Sequence, residues 1–135
     1  MSITDKFIYT HFIPSENISA MYEKKLPVNL DCGLHLFLQV VQGKWKINLL
    51  WAIHSGIKRP GELQRKIPTA TRRVLDAQLG QLIEHGLIKK VVFDQLPLKV
   101  EYELTGLGES LIPVIKVTAQ WGEDHRNELE QFFKA

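Results

Sequence analysis

The chain of 135 residues holds a single cysteine, Cys32. One thiol excludes an internal disulfide framework and any thiolate zinc cluster. Six prolines and nine glycines are too few for a collagenous or long low-complexity segment. No run approaches the about 18 apolar residues that would span a bilayer. No basic region precedes the short FIYTHFI stretch near the start, and no small-residue cleavage site follows closely. The expectation is a soluble cytoplasmic protein with no membrane partner. His11, His35, His54, His85 and His125 show no i, i+4 pairing and no carboxylate at ligand spacing, so neither a metal nor a cofactor is expected. Phosphate-binding glycine loops and nucleophile elbows are missing too, and the chain does not read as an enzyme.

What is present is an ordinary apolar fraction, 44%, with 24% charged residues, enough for one core. The net charge of +2 hides an asymmetry. Residues 44–99 carry eleven Lys/Arg against four acids, a net +7, and the rest of the chain carries −5. A basic middle between acidic ends points to a polyanion partner for the middle alone.

Residues 1–31 are weakly periodic, broken by Pro14 and Pro27, and read as an N-terminal extension. From Leu34 the pattern sharpens. Leu34, Phe37, Leu38 and Val41 fall on one helical face, and Trp45, Leu49, Ala52 and Ile53 form the stripe of a second helix ended by Gly56. Pro60 suits the first turn of a short third helix carrying Leu63 and Ile67. Thr71 is a fitting N-cap for a fourth, with Leu75, Leu79, Leu82 and Ile83 as its stripe and Gly86 at its end. The period then changes. LIKKVVF (87–93) is β-branched and aromatic, and Val100, Tyr102 and Leu104 alternate with charged residues, so the two segments make a hairpin around DQLPLK. Thr105 caps a last helix with Leu107, Leu111, Val114, Ile115, Thr118 and Trp121 on one face, kinked at Pro113, and Leu129, Phe132 and Phe133 extend an apolar stripe to the end.

A short helix, a tight turn and a longer helix form a helix-turn-helix, whose second helix can enter a DNA major groove. Arg72 and Arg73 sit in its first turn, where they oppose the helix dipole, so helix stability alone does not account for them. Residues 58–73 hold six bases and one acid, and Lys99 stands beside the hairpin loop, where a wing could touch DNA. Solvated surface charge on a helical hairpin is the plain alternative for any one of these bases. Glu101 and Glu103, two apart on a strand, could form an acid–base pair, but the solvent face of a hairpin explains them as well.

The chain resembles the HxlR-type winged-helix transcriptional regulators, relatives of the MarR group. The resemblance covers residues 32–122 and rests on Cys32 followed eleven residues later by GKWK (43–46), then ELQRKIP (62–68) and Leu75, Leu79 and Leu82. It continues through HGLI (85–88), VEYELTGLG (100–108), Pro113 and Trp121-Gly122. It implies a dimeric DNA-binding protein with a recognition helix, a wing and terminal helices paired across the dimer axis. The family's recognition contacts fall on Thr71, Arg72 and Arg73. Pro60 departs from its usual aromatic, Gly33 from a proline and Thr69 from a glycine. Some members use the cysteine matching Cys32 to sense quinones, aldehydes or oxidants. A helix N-terminus would favour the Cys32 thiolate, adjacent Asp31 opposes it by like charge, and a small buried apolar residue is the third reading.

The sequence therefore predicts an α+β, mainly helical fold: a winged helix-turn-helix over 32–122 with a two-stranded wing, an extension over 1–31, and a C-terminal dimerisation helix over 123–135. The expected partners are double-stranded DNA and a second copy of the chain. Lys58, Arg59, Thr69, Thr71, Arg72, Arg73 and Lys99 are the expected DNA contacts, with Lys44 a further phosphate candidate. Trp121, Leu129, Phe132 and Phe133 are the expected dimer interface, since a monomer exposing them would carry a large apolar patch. Trp45 reads as core or interface, and Trp51 lies off the stripe, toward the terminal helix or the partner. A protein-interaction module without specific DNA binding is the competing reading, and an enzyme with Cys32 as nucleophile the weakest.

Overall fold

A computed structural model describes residues 31–134. They divide into two units, one ending at Gln42 and the other beginning at Gly43. The expected extension over 1–31 lies, apart from Asp31, outside the described residues. The first unit contributes α1 (Gly33–Val41), with Cys32 as its N-cap. Its expected inward face is only partly covered. Val41 is buried and Phe37 half-buried, whereas Leu34 and Leu38 are exposed, as is Leu36 off that face.

The second unit runs α2 (Lys46–His54), α3 (Pro60–Lys66), α4 (Arg72–Glu84), β1 (Ile88–Phe93), β2 (Lys99–Leu104), α5 (Gly106–Asp124) and α6 (Arg126–Phe133). This is the predicted order, mainly helical with one two-stranded antiparallel sheet among the described residues. Helix α2 is the centre, packing on α3, α4, α5 and β2. Burial on several sides explains why Leu49, Leu50, Ala52 and Ile53 are all inside, where the sequence suggested one stripe. Even Lys46 is only 2% exposed. Its stem lies against Gly43, where any Cβ would come within 3.0 Å of it.

Strands β1 and β2 pair from Ile88↔Leu104 to Phe93↔Lys99. The turn into β1 uses Gly86 at φ +75°, a left-handed conformation that glycine adopts without penalty. It lets Leu87 N donate back to Leu82 O at 3.0 Å and closes α4. At this same end of the hairpin, Thr105 ties three segments together. Its hydroxyl lies 2.6 Å from Gly86 O and 3.1 Å from Leu87 O, and accepts from Gly108 N at 3.1 Å to cap α5.

Helix α5 keeps only part of the predicted face. Its buried residues are Gly108, Ile112 and Ile115. Of the expected line Ile115 is buried and Leu111 half-buried, whereas Leu107, Val114, Thr118 and Trp121 are exposed. The cause is a close approach of backbones: Gly108 sits against the Leu87 carbonyl, leaving no room for a side chain. That fixes the rotation of α5 and turns Leu107, Val114, Val117 and Trp121 outward. The helix also continues through Pro113 to Asp124, and the break comes at His125. There the ring stacks on Trp121 with centroids 4.8 Å apart.

Candidate nucleic-acid interface

Helix α3 begins at Pro60, whose missing N–H costs nothing in a first turn, with Glu62 at its positive end and Arg65 and Lys66 at its negative end. Fully buried Leu63 anchors it. The turn that follows is held by Gln64 Nε2, which donates to Ala70 O at 2.6 Å, and by Ala70 N, which donates to Ile67 O at 3.2 Å. Ile67 and Ala70 are buried while Thr69 stays exposed, so the turn's angle is set from beneath.

Thr71 caps α4 as predicted, its Oγ1 accepting from Val74 N at 3.2 Å. Leu75, Leu79 and Leu82 lock the inner face of α4 into the core. A second tie, invisible to periodicity, joins α4 to the start of α2: Gln78 Oε1 accepts from Trp45 N at 2.9 Å. The outer face of the first turn is left to Thr71, Arg72 and Arg73, all exposed. Arg72 is paired with Asp76 at 3.0 Å, whereas Arg73 has no carboxylate partner among the described residues.

The wing stands beside this turn because Tyr102 N of β2 donates to Lys58 O at 2.9 Å, coupling the sheet to the segment before α3. A cleft of about 360 Å³ results, lined by Arg59 and Pro60, by Arg72, and by Gln95, Pro97, Leu98 and Lys99 of the wing. Arg59, Arg72 and Lys99 therefore line one cleft, and Lys58, whose carbonyl accepts from Tyr102, stands outside it. A second cleft, of about 410 Å³, follows α4 and includes Arg72, Asp76, Lys90 and Tyr102. Burial raises the Tyr102 phenol above its usual range, and the Asp76 charge adds to it, with Arg72 opposing. Lys90 was not singled out in the sequence, yet it lines this cleft without an ion pair among the described residues.

The bases are not equally available. Arg59 approaches Glu62 at 3.8 Å. Lys99 is bound to Glu101 at 3.2 Å and lies 4.7 Å over the Phe93 ring. Lys89 pairs with Glu103 at 3.6 Å, so both strand glutamates are engaged by lysines and both are half-buried. Lys44 lies 5.0 Å from the Trp45 ring centroid. Among the described residues, Lys44, Lys58, Arg73 and Lys90 have no carboxylate partner. Elsewhere, Trp121 is half exposed, Leu129 partly buried, and Phe132 and Phe133 are 79% and 84% exposed. Trp51 faces α5 across a cavity shared with Ile115, Thr118 and Ala119. No group of three metal-ligating side chains occurs among the described residues, and none of the helices there is long and apolar enough to cross a membrane.

The helix-turn-helix is also what known proteins share with this chain. Residues 40–130 match the HxlR-like helix-turn-helix family. An uncharacterized HTH-type transcriptional regulator of Bacillus subtilis strain 168, YybR, is 39% identical over 114 residues, covering 83% of this chain and 91% of the relative. Among solved structures, the redox regulator HypR in its reduced form superposes with a TM-score of 0.70 at 38% identity, over 74% of this chain and 99% of that one. A putative HTH-type transcriptional regulator, ytcD, superposes with a TM-score of 0.68 at 38% identity, over 71% and 98%. The chain belongs to the HxlR-like helix-turn-helix family of transcriptional regulators.

Proposed function

We propose that two copies of the chain bind one duplex, each placing α4 in a major groove with the wing beside it. The observation that carries this reading is the first turn of α4. It is rigidly capped, fixed to the core on one side, and presents Thr71, Arg72 and Arg73 to solvent on the other. Arginine at the N-terminal end of such a helix meets the acceptors of guanine in the major groove. Thr69 lies on the same exposed turn. Lys58, Arg59 and Lys99, with Lys44, supply phosphate contacts that fix register and dominate the salt dependence. The protein works in the cytoplasm, where its DNA is, and as a regulator rather than an enzyme.

The homodimer reading rests on exposed apolar surface. Trp121, Phe132 and Phe133, with partly buried Leu129, extend the open ridge of α5 into α6, which buries no residue of its own. Pairing across a two-fold axis covers that surface and presents two recognition helices to half-sites about one DNA turn apart.

Thiol-based sensing at Cys32 has one specific support: HypR, 38% identical, is a redox regulator solved in reduced form. With one thiol per chain, Cys32 can be oxidised to a disulfide only with a thiol from outside its own chain, of a second copy or of a small molecule, or alkylated directly by an electrophile. Cys32→Ser protein is expected to lose any change in DNA affinity caused by diamide or benzoquinone. An unaltered response in that variant removes Cys32 from the mechanism.

The test of DNA binding is fluorescence anisotropy of duplex from the protein's own upstream region, beside an unrelated duplex, at several salt concentrations. Tighter binding to the first, with a slope near −0.9 per phosphate contact, is the expected outcome. Unchanged binding by the Arg72→Ala/Arg73→Ala double variant overturns the assignment of α4.

A further inference from the structure

The wing does not end in positive charge, and its one charged residue there is the acid Asp94. Its loop, 94–98, reads Asp-Gln-Leu-Pro-Leu and holds no lysine or arginine. Lys99, the base next to it, stands at the start of β2, 3.2 Å from Glu101 and 4.7 Å over the Phe93 ring, not in the loop itself. What the tip offers instead is aliphatic surface: Leu96 is 96% exposed, Leu98 66% and Val92 55%. Nothing among the described residues covers these side chains, and burying a leucine against apolar surface is favourable.

The position of the tip says what it meets. Leu98 and Pro97 share the cleft that holds Arg59 and Arg72, so the apolar tip continues the surface that carries the recognition turn. Six-residue strands span about 20 Å, enough to extend from a helix in the major groove to the minor groove beside it. That groove is narrow, about 6 Å across, and a side chain entering without a cation there can act only through shape and apolar contact.

We propose that Leu96, backed by Leu98, enters the minor groove of the bound duplex as an apolar wedge that opens a base step. The proposal rests on the DNA-binding reading above and adds a second element to it. Such a wedge selects sequence by deformability. It favours pyrimidine–purine steps, above all TA, because these unstack most readily and because A·T pairs leave the minor-groove floor free of the guanine amino group. The complex is correspondingly kinked, and wedges of this kind bend DNA by about 20–90°.

The experiment uses the full chain and a 30-base-pair duplex selected by the wild-type protein from a randomised pool, labelled at its two ends for energy transfer. The wild-type protein is expected to shorten the end-to-end distance. Leu96→Ala, at a fully exposed position where folding is not at stake, is expected to abolish the shortening and weaken binding about tenfold with an unchanged salt slope. Replacing a TA step under the wing by GC is expected to weaken the wild-type protein and leave Leu96→Ala indifferent. A straight wild-type complex, or a Leu96→Ala protein that binds and bends as the wild type does, overturns the wedge while leaving DNA binding intact. A Leu96→Ala protein whose only change is in subunit association also overturns it, because the tip is then a contact between copies. Recovery of no duplex by the wild-type protein overturns the wedge and the DNA reading together.

Discussion

Arg72 Nε donates to Asp76 Oδ1 at 3.0 Å, one turn along α4, and this pairing separates two arginines that are neighbours in sequence. Arg72 is aligned along the helix toward the wing, where it enters both clefts. Arg73 has no carboxylate partner among the described residues and is free to extend. Exposed i, i+4 pairs contribute only about 0.3–0.5 kcal/mol, so the pair's importance lies in where it holds the guanidinium. Arg73→Ala is expected to weaken binding to the selected site by about 1–3 kcal/mol, with discrimination relaxed at one base position. Asp76→Ala is expected to act differently. It removes a negative charge from the cleft lined by Arg72 and Lys90, and is expected to strengthen binding to all sequences and steepen the salt slope by about one unit. Titrations of both variants against cognate and unrelated duplexes check this, and equal losses from the two contradict the division of labour.

Gly108 sets the rotation of α5. A Cβ there overlaps the Leu87 carbonyl oxygen and lies 3.1 Å from its carbon, with Leu104 Cδ2 at 3.3 Å. Alanine is the better helix former by about 1 kcal/mol, so propensity alone predicts that Gly108→Ala stabilises. The clash is with backbone at the foot of the wing, which cannot swing aside, and forced overpacking costs about 1–3 kcal/mol or more. Packing outweighs propensity here. The expected result is a net loss of stability, read as a lower urea midpoint, and weaker DNA binding because α5 and β1 must separate. A midpoint above the wild type shows that the backbone relaxes.

These two positions show what the sequence carries and what it does not. The cap at Thr71, the first-turn Pro60 and the change of period at the hairpin are local, and each was legible because its cause lies within a few residues. The expected DNA contacts around the turn follow from the same local logic. The buried face of α5 was legible only at Ile115: Leu107, Val114 and Trp121 are as apolar as Ile112, and the contact that decides between them is with distant Leu87. The link from Gln78 to Trp45 spans 33 residues and leaves no periodic trace. Lys46 in the core breaks the rule that lysines stay outside, so composition could not place it. The Arg72–Asp76 spacing was readable, but only the structure shows that the pair lies in the clefts beside the wing.

Lys46 makes a pH-dependent prediction. Burial lowers its ammonium below the ordinary 10.5, with the Glu84 charge partly opposing. Below the lowered value, folded and unfolded chains are both protonated and the full cost of the buried charge is present. Between that value and 10.5 the unfolded chain binds more protons, so the contribution to stability rises with pH, and above 10.5 the cost is gone. Lys46→Met keeps the stem against Gly43 and removes the charge. It is expected to be more stable than the wild type at pH 7 by on the order of 1 kcal/mol, with the difference shrinking as pH rises toward 10.5. Tyr102 titrates in the opposite sense, its raised phenol favouring the folded state until pH passes about its ordinary 10 and losing that balance above it. Because both proteins carry Tyr102, the difference between their urea midpoints isolates the lysine. A variant less stable than the wild type at every pH would assign the Lys46 head group a stabilising contact.

The outward ridge of α5 predicts where subunits separate. Leu107, Val114 and Trp121 recur at seven-residue spacing, with Val117 beside them, and all four are exposed. Heptad spacing keeps such residues on one side of a helix that pairs with another. Val117 was absent from the expected interface because the sequence turned a different face of α5 inward. Val117→Glu places a charge in the middle of that ridge at a position 70% exposed in the single chain, so folding is unaffected. Sedimentation equilibrium is expected to show the dimer dissociating, with Phe132→Glu acting in the same direction from α6. Circular dichroism is expected to keep its helical signal. The monomer retains the Thr71–Arg73 turn and binds a single half-site, but loses the gain that comes from joining two. Affinity for the full site is therefore expected to fall by a factor of at least about a hundred, while non-specific binding changes little. A dimer that survives both substitutions places the subunit contact away from α5 and α6.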